Sequence, residues 1–95
     1  MYFSFIIPVY NRPDEIDELL QSLFLLDFEN DFEVVIIEDG STTTCDDIIE
    51  NYKNELTISY FFKSNSGPGD SRNYGMQKAK LIDIVCIESY SLIAA

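Results

Sequence analysis

Asp31-Phe32-Glu33-Val34-Val35-Ile36-Ile37-Glu38-Asp39-Gly40-Ser41-Thr42-Thr43-Thr44 is the stretch on which the fold turns. From Phe32 to Ile37 it is apolar and rich in β-branched residues, broken only by Glu33. It is too short for a typical helix and is flanked by turn formers, so it reads as a buried strand. Glu38 and Asp39 stand where that strand ends. Gly40 and Ser41 turn the chain, and Thr44 with Asp47 makes a Thr-x-x-Asp start for a following helix. In open parallel α/β sheets, ligands bind at the carboxyl ends of the strands, which makes Asp39 the first site candidate. The same residues also suit a plain solvated turn, because Asp and Gly are common turn formers.

Working outward, Phe3 to Val9 is a second apolar run, which stops at Tyr10-Asn11-Arg12-Pro13. Pro13 cannot continue a central strand but suits the first position of a helix. In that helix Ile16, Leu19, Leu20, Leu23 and Phe24 recur at helical spacing and form a stripe that must face the sheet. Asp14, Glu15, Asp17 and Glu18 fall in its first turns, where negative charge suits the helix dipole, so they read as stabilising surface. Downstream, a helix is expected from about Cys45 to Lys53, with Ile48, Ile49 and Tyr52 on one face. A third strand follows over Thr57 to Phe62. Then comes Lys63-Ser64-Asn65-Ser66-Gly67-Pro68-Gly69-Asp70-Ser71-Arg72-Asn73, whose glycines let backbone approach a ligand and whose Pro68 opens a helix running to about Lys80. A helix start of this kind presents free N–H groups to an anion. Ile84 to Ile87 reads as a fourth strand. The order β-α-β-α-β-α-β implies a Rossmann-like α/β fold with a mostly parallel sheet and helices on its faces.

Ninety-five residues suit one small domain, residues 1–95, and 46% hydrophobic content marks it as globular. No apolar run approaches the length needed to cross a bilayer. Met1 leads straight into a strand-like run with no basic segment, so no secretory signal is read and a cytoplasmic protein is expected. Cys45 and Cys86 then read as reduced and structural. The chain has no His, which removes the usual metal ligand and the usual general base, and with it any Ser-His acyl-transfer pair. The net charge of −11 is uneven: residues 1–50 carry −12 and residues 51–95 carry +1. Such a surface excludes nucleic acid as a partner, because that binding rests on Lys and Arg meeting phosphates. A small anionic ligand stays open if Lys63, Arg72 or a metal ion neutralises it locally.

Taken jointly, Phe5-Ile6-Ile7-Pro8-Val9-Tyr10-Asn11, Glu33-Val34-Val35-Ile36-Ile37-Glu38-Asp39-Gly40-Ser41 and Asn65-x-Gly67-x-Gly69-x-x-Arg72-Asn73 resemble the opening of a family 2 glycosyltransferase. The resemblance covers about residues 3–80. It implies a GT-A fold and transfer of a sugar from a nucleoside-diphosphate donor, usually UDP, with inversion and with a divalent metal, Mn2+ or Mg2+. By the same resemblance Pro8 and Tyr10 lie beside the nucleotide base, with the Tyr10 ring as a stacking surface. Asp39 accepts a hydrogen bond from the base, and Arg72 sits near the donor phosphates. The donor-binding candidates are thus Pro8, Tyr10, Glu38, Asp39, Lys63, Gly67 and Arg72.

The family pattern then asks for Asp-x-Asp after the fourth strand, where this chain reads Ile87-Glu88-Ser89-Tyr90. Glu88 is the metal-ligand candidate, and the Tyr90 phenol is a poor substitute for the second carboxylate. The acceptor, a saccharide or a lipid-linked one, and the family's general base would come from beyond Ala95. The expectation is therefore an incomplete GT-A domain, membrane-associated or not in its intact protein, that binds a nucleotide sugar without transferring it. The alternative is a non-enzymatic nucleotide-binding or interaction module in which Glu88 and Tyr90 record a lost metal site. An unrelated flavodoxin-like acidic domain is the third class. An uncovered sheet edge near Ile84 to Ile87 would recruit a second copy and give a homo-oligomer.

Overall fold

The computed structural model describes residues 3–25, 32–54, 56–79 and 83–86. Seven elements alternate along it: β1 (Phe3–Val9), α1 (Pro13–Leu25), β2 (Phe32–Asp39), α2 (Asp46–Glu50), β3 (Ile58–Lys63), α3 (Pro68–Lys78) and β4 (Asp83–Cys86). The strands form one sheet in the order β3-β2-β1-β4, and every described pairing is parallel. The chain thus steps from β1 through β2 to β3, then returns across β1 to lay down β4 on the other side. Such a reversal of winding direction is where open α/β sheets leave a crevice at their carboxyl edge.

The period-two alternation of β1 and β2 divides the core between the two faces. Phe5, Ile7 and Val9 from β1, with Val34 and Ile36 from β2, meet Ile16, Leu19, Leu20 and Leu23 of α1 and Cys45, Ile49 and Leu56 around α2. Phe5 and Phe32 close this side with an edge-to-face contact, ring centroids 5.4 Å apart. On the opposite face Ile6, Val35 and Ile37 lie under α3, with Phe61, Tyr74 and Ala79 packed around them. The ring of Phe61 meets that of Tyr74 edge-on, and the Lys78 ammonium lies over both. Gly75 lets α3 approach the sheet: a Cβ there would stand 2.4 Å from Ile6 Cγ2 and 3.3 Å from Ile37 Cγ1.

Several boundaries differ from the sequence reading, each for a local reason. β2 runs two residues further, to Asp39, because β3 continues to pair with it through Asp39↔Lys63. Phe24 is half exposed and outside the core, since Leu19, Leu20 and Leu23 already fill the apolar side of α1. Helix α2 is only five residues long. Beyond it Asn51 N–H donates to Ile48 and Tyr52 N–H to Ile49, i to i−3 bonds that tighten the chain into turns while Tyr52 still packs on the core. The Thr44–Asp47 cap does not form. Thr44 donates its hydroxyl to Asp46, and Cys45 takes the cap position without a side-chain bond. Pro8 sits inside β1, in register with Ile37 of β2.

Candidate functional site

Registers Val9↔Glu38 and Asp39↔Lys63 bring the ends of β1, β2 and β3 level with one another. Tyr10, Asp39 and Lys63 therefore stand on one rim at the carboxyl edge of the sheet. Asp39 is the centre of that rim. Its Oδ1 accepts from Lys63 Nζ at 2.6 Å and from Ser66 N–H at 2.9 Å, and its Oδ2 accepts from Gly67 N–H at 3.0 Å. Its backbone carbonyl accepts from the Asn65 amide at 3.0 Å. Lys63 is fixed in turn by Ser66 Oγ and by the Ser64 carbonyl. The pair is largely withdrawn from water, with side-chain exposures of 13% for Lys63 and 6% for Asp39. Burial opposes ionisation of Asp39, but the Lys63 ammonium and the N–H groups of Ser66 and Gly67 outweigh it and hold the carboxyl below its usual value.

Two glycines make this cradle sterically feasible. Gly40 has φ 71°, and a Cβ there would stand 2.6 Å from Asn65 N. The loop after β3 can therefore cross over the turn after β2 only because residue 40 has no side chain. Gly67 has φ 98°, which turns its N–H toward Asp39 just before α3 begins. At the start of that helix Gly69 lies against the Arg72 guanidinium, with 3.9 Å between Nη2 and the place a Cβ would take. Arg72 is half-buried and curls back along the first turn of α3. Pro8 is half-buried on the same face of β1 as Ile6, and the Tyr10 ring is 52% exposed at the end of that strand.

Glu38 goes elsewhere. Strand alternation turns it to the α1/α2 face, where it is fully buried. Its Oε2 accepts from Tyr60 OH at 2.8 Å, Cys45 Sγ at 3.1 Å and Cys45 N–H at 3.2 Å, while Oε1 has no partner among the described residues. Burial, and then the adjacent carboxylate, push the Cys45 and Tyr60 protons to pKa values well above their ordinary ones, so the thiol is no nucleophile. The structure thus separates Glu38 from the rim formed by Tyr10, Asp39 and Lys63, although it adjoins Asp39 in sequence.

Residues that the sequence reading did not single out complete the rim. Ser66 bonds both members of the Asp39–Lys63 pair. Asn11 adopts a left-handed backbone, φ 51°, and its Oδ1 accepts from Thr42 N–H, Thr43 N–H and Thr42 Oγ1. Ser41 is buried and accepts from Asn11 N–H at 2.8 Å. An Asn directly after a strand was a legible hint, since Asn tolerates the left-handed region better than most residues. Its partners, thirty residues away, were not legible.

Glu88 and Tyr90 lie outside the described residues. Among the described residues no three Asp, Glu, Cys or His side chains come together as a metal site. Asp39 is already paired with Lys63. No helix among the described residues is long and apolar enough to cross a membrane.

Residues 4–87 match the model for Glycosyl transferase family 2. A glycosyltransferase of Rickettsia bellii is 39% identical over 89 residues, which take in 94% of this chain and 13% of the relative. TarS, the poly(ribitol-phosphate) β-N-acetylglucosaminyltransferase of Staphylococcus aureus, is 38% identical over 92 residues, 94% of this chain and 16% of that enzyme. The crystal structure of TarS 1–349 in complex with UDP-GlcNAc superposes with a TM-score of 0.82 at 39% identity, over 92% of this chain and 26% of that one. The mannosyltransferase PcManGT of Pyrobaculum calidifontis, in complex with GDP-Man and Mn2+, shares the fold with a TM-score of 0.72 at 20% identity, over 82% of this chain and 24% of that one. This chain therefore spans a small part of the length of the relatives it matches.

Proposed function

Because this chain belongs to glycosyl transferase family 2 and has its GT-A fold, we propose that the rim formed by Tyr10, Asp39 and the loop before α3 binds the nucleotide of a UDP-sugar. The observation that carries this reading is the state of the Asp39 carboxylate, which is ionised, neutralised by Lys63 and only partly used. An ionised carboxylate offers about four acceptor positions. Lys63 and Ser66 fill those of Oδ1, and Gly67 fills one on Oδ2. Among the described residues one position on Oδ2 is left, enough for a single N–H such as that of the uracil imide. Beside it the exposed Tyr10 ring offers a flat face on which a base stacks. The nucleotide's diphosphate would follow toward the first turn of α3, where Arg72 and Gly69 lie side by side and a helix N-terminus favours anions. TarS, which matches over the same residues, has been crystallised with UDP and with UDP-GlcNAc.

In the reaction we propose, the bond from the anomeric carbon to the β-phosphate oxygen breaks as the hydroxyl oxygen of a saccharide or lipid-linked acceptor attaches from the opposite side. The acceptor proton must pass to a base. Asp39 is too weak a base, with its pKa held low, and Glu38 is out of reach. These residues therefore bind and orient the donor, and the 95-residue chain by itself is expected not to transfer sugar. Glu88 is the acidic side chain the family pattern offers to Mn2+ or Mg2+.

Calorimetric titration with UDP tests the reading. Tyr10→Ala should weaken binding by about 1–3 kcal/mol through lost stacking, and Asp39→Ala by about 1.5–3 kcal/mol through a lost charge-assisted hydrogen bond. Circular dichroism checks that both variants stay folded. An unmodified chain that ignores UDP, or variants that bind as well as it does, would sink the proposal.

A further inference from the structure

We propose that Asn11 is a positioning residue that locks the two halves of the nucleotide rim to each other before any ligand arrives. The inference rests on the nucleotide-binding reading above for its functional meaning, though not for its geometry. Tyr10 directly follows β1 and Asp39 ends β2, and the two lead into different turns. The turn after Tyr10 begins with Asn11, and the turn after Asp39 runs through Gly40 to Thr43. Four hydrogen bonds join them, and all four involve Asn11. Its Oδ1 receives Thr42 N–H at 2.8 Å, Thr43 N–H at 2.9 Å and Thr42 Oγ1 at 3.2 Å, while its own N–H donates to Ser41 Oγ at 2.8 Å.

The arrangement is reciprocal, with each turn donating backbone N–H to a side chain of the other. The left-handed backbone at Asn11, φ 51°, aims the side chain back across the gap, and a non-glycine residue holds that conformation only where its surroundings fix it. Neither Asn11 nor Ser41 is needed for the core. Asn11 is exposed, and the apolar clusters on both faces are complete without it. The bonds instead act on placement. A stacking ring and a carboxylate that must engage one base together gain affinity when their separation is set in advance, because the ordering entropy is then not lost on binding.

The Oδ1 atom works only as an acceptor, which separates the proposal from a purely conformational role. Asn11→Asp keeps the acceptor and tolerates the left-handed backbone, Asn11→Gly keeps the backbone freedom but loses the acceptor, and Asn11→Ala loses both. The full chain carrying each substitution is titrated with UDP in about 0.3 M salt, so that the charge added by Asp is screened. Affinity should fall about tenfold for Asn11→Ala and for Asn11→Gly, and stay within about threefold for Asn11→Asp, since about 1.4 kcal/mol corresponds to a factor of ten. Melting temperatures are measured alongside to show that the loss is not one of folding. Amide hydrogen exchange at Thr42 and Thr43, measured without ligand, should quicken about tenfold in Asn11→Ala and Asn11→Gly and be kept in Asn11→Asp. A Gly variant that binds like the unmodified chain would reduce Asn11 to a backbone role and overturn the proposal. Unchanged exchange in Asn11→Ala would overturn it whatever UDP does. Absence of UDP binding in the unmodified chain would instead remove the nucleotide reading, and the exchange data would then decide the lock alone.

Discussion

The two faces of the sheet are built to different ends, and the adjacent carboxylates Glu38 and Asp39 mark the difference. Among the described residues, those buried toward α1 and α2 form the larger apolar cluster, beside which Glu38 is closed off by Cys45 and Tyr60. Toward α3 the described cluster is Ile6, Val35 and Ile37, and the upper part of that side belongs to Asp39 and the loop folded over it. Burial of apolar area is the main source of stability, so the first face carries the larger described core while the second carries the candidate site. One residue of strand register separates the two roles. The largest expected effect tests this division: Leu20→Ala, at a fully buried position on α1, should cost about 2–5 kcal/mol, measured by urea denaturation. A loss of that size is a large share of a small domain's stability. A melting curve that does not move would mean that the face described as the core is not one.

The α3 face should respond in the opposite sense, to added rather than removed volume. Gly75→Ala at an exposed helix position would gain roughly 1 kcal/mol from propensity. Here the new methyl would stand 2.4 Å from Ile6 Cγ2, and Ile6 is fully buried between the sheet and α3. Overpacking of this kind costs about 1–3 kcal/mol, so a net loss is expected, smaller than that of Leu20→Ala. Because α3 carries Gly67 and Arg72 at its start, the same variant should also weaken UDP binding. Net stabilisation by Gly75→Ala would show that α3 is not seated on Ile6, and the contrast between the faces would then lose its second half.

Much of this contrast was legible in the sequence, and its limits are physical. The continuous apolar run Phe32 to Ile37 reports a strand buried on both faces, and the stripe Ile16, Leu19, Leu20 and Leu23 reports the buried side of a helix. The order of elements fixed the parallel sheet, and the Asp39-Gly40 and Gly67-Pro68 junctions placed the turns. Glu38 and Asp39 are neighbours in sequence, but strand pleating sends them to opposite faces, so adjacency at a strand end does not make them one site. Helix α2 read too long because Tyr52 keeps its core contact after the helix has ended. The Asn11 bonds and the cover that Ser66 gives Asp39 join residues about thirty apart, and spacing along one chain carries no signal for such pairs.

The smallest expected effect separates the faces by pH. Asp39 is more acidic in the fold than its ordinary value of 3.8: burial works against this, but the Lys63 bond and two backbone N–H groups prevail. A carboxyl with a lowered folded pKa adds stability above its unfolded pKa, and loses it as pH falls through the folded one, where both states are protonated. Lys63→Met removes the cation and leaves burial opposed only by Ser66 and Gly67, so the Asp39 pKa should rise. The gap between the unmodified chain and Lys63→Met should therefore be widest near neutral pH and narrow as pH drops below the ordinary carboxylate range. Leu20→Ala supplies the control from the other face, since a lost methyl contact has no proton linked to it and its cost should hold constant across the same range. Urea melts of the three proteins at neutral pH and at two acidic points measure both gaps. A Lys63→Met gap as flat as that of Leu20→Ala would show that the Asp39–Lys63 pair contributes nothing proton-linked, and would remove the electrostatic distinction drawn between the two faces.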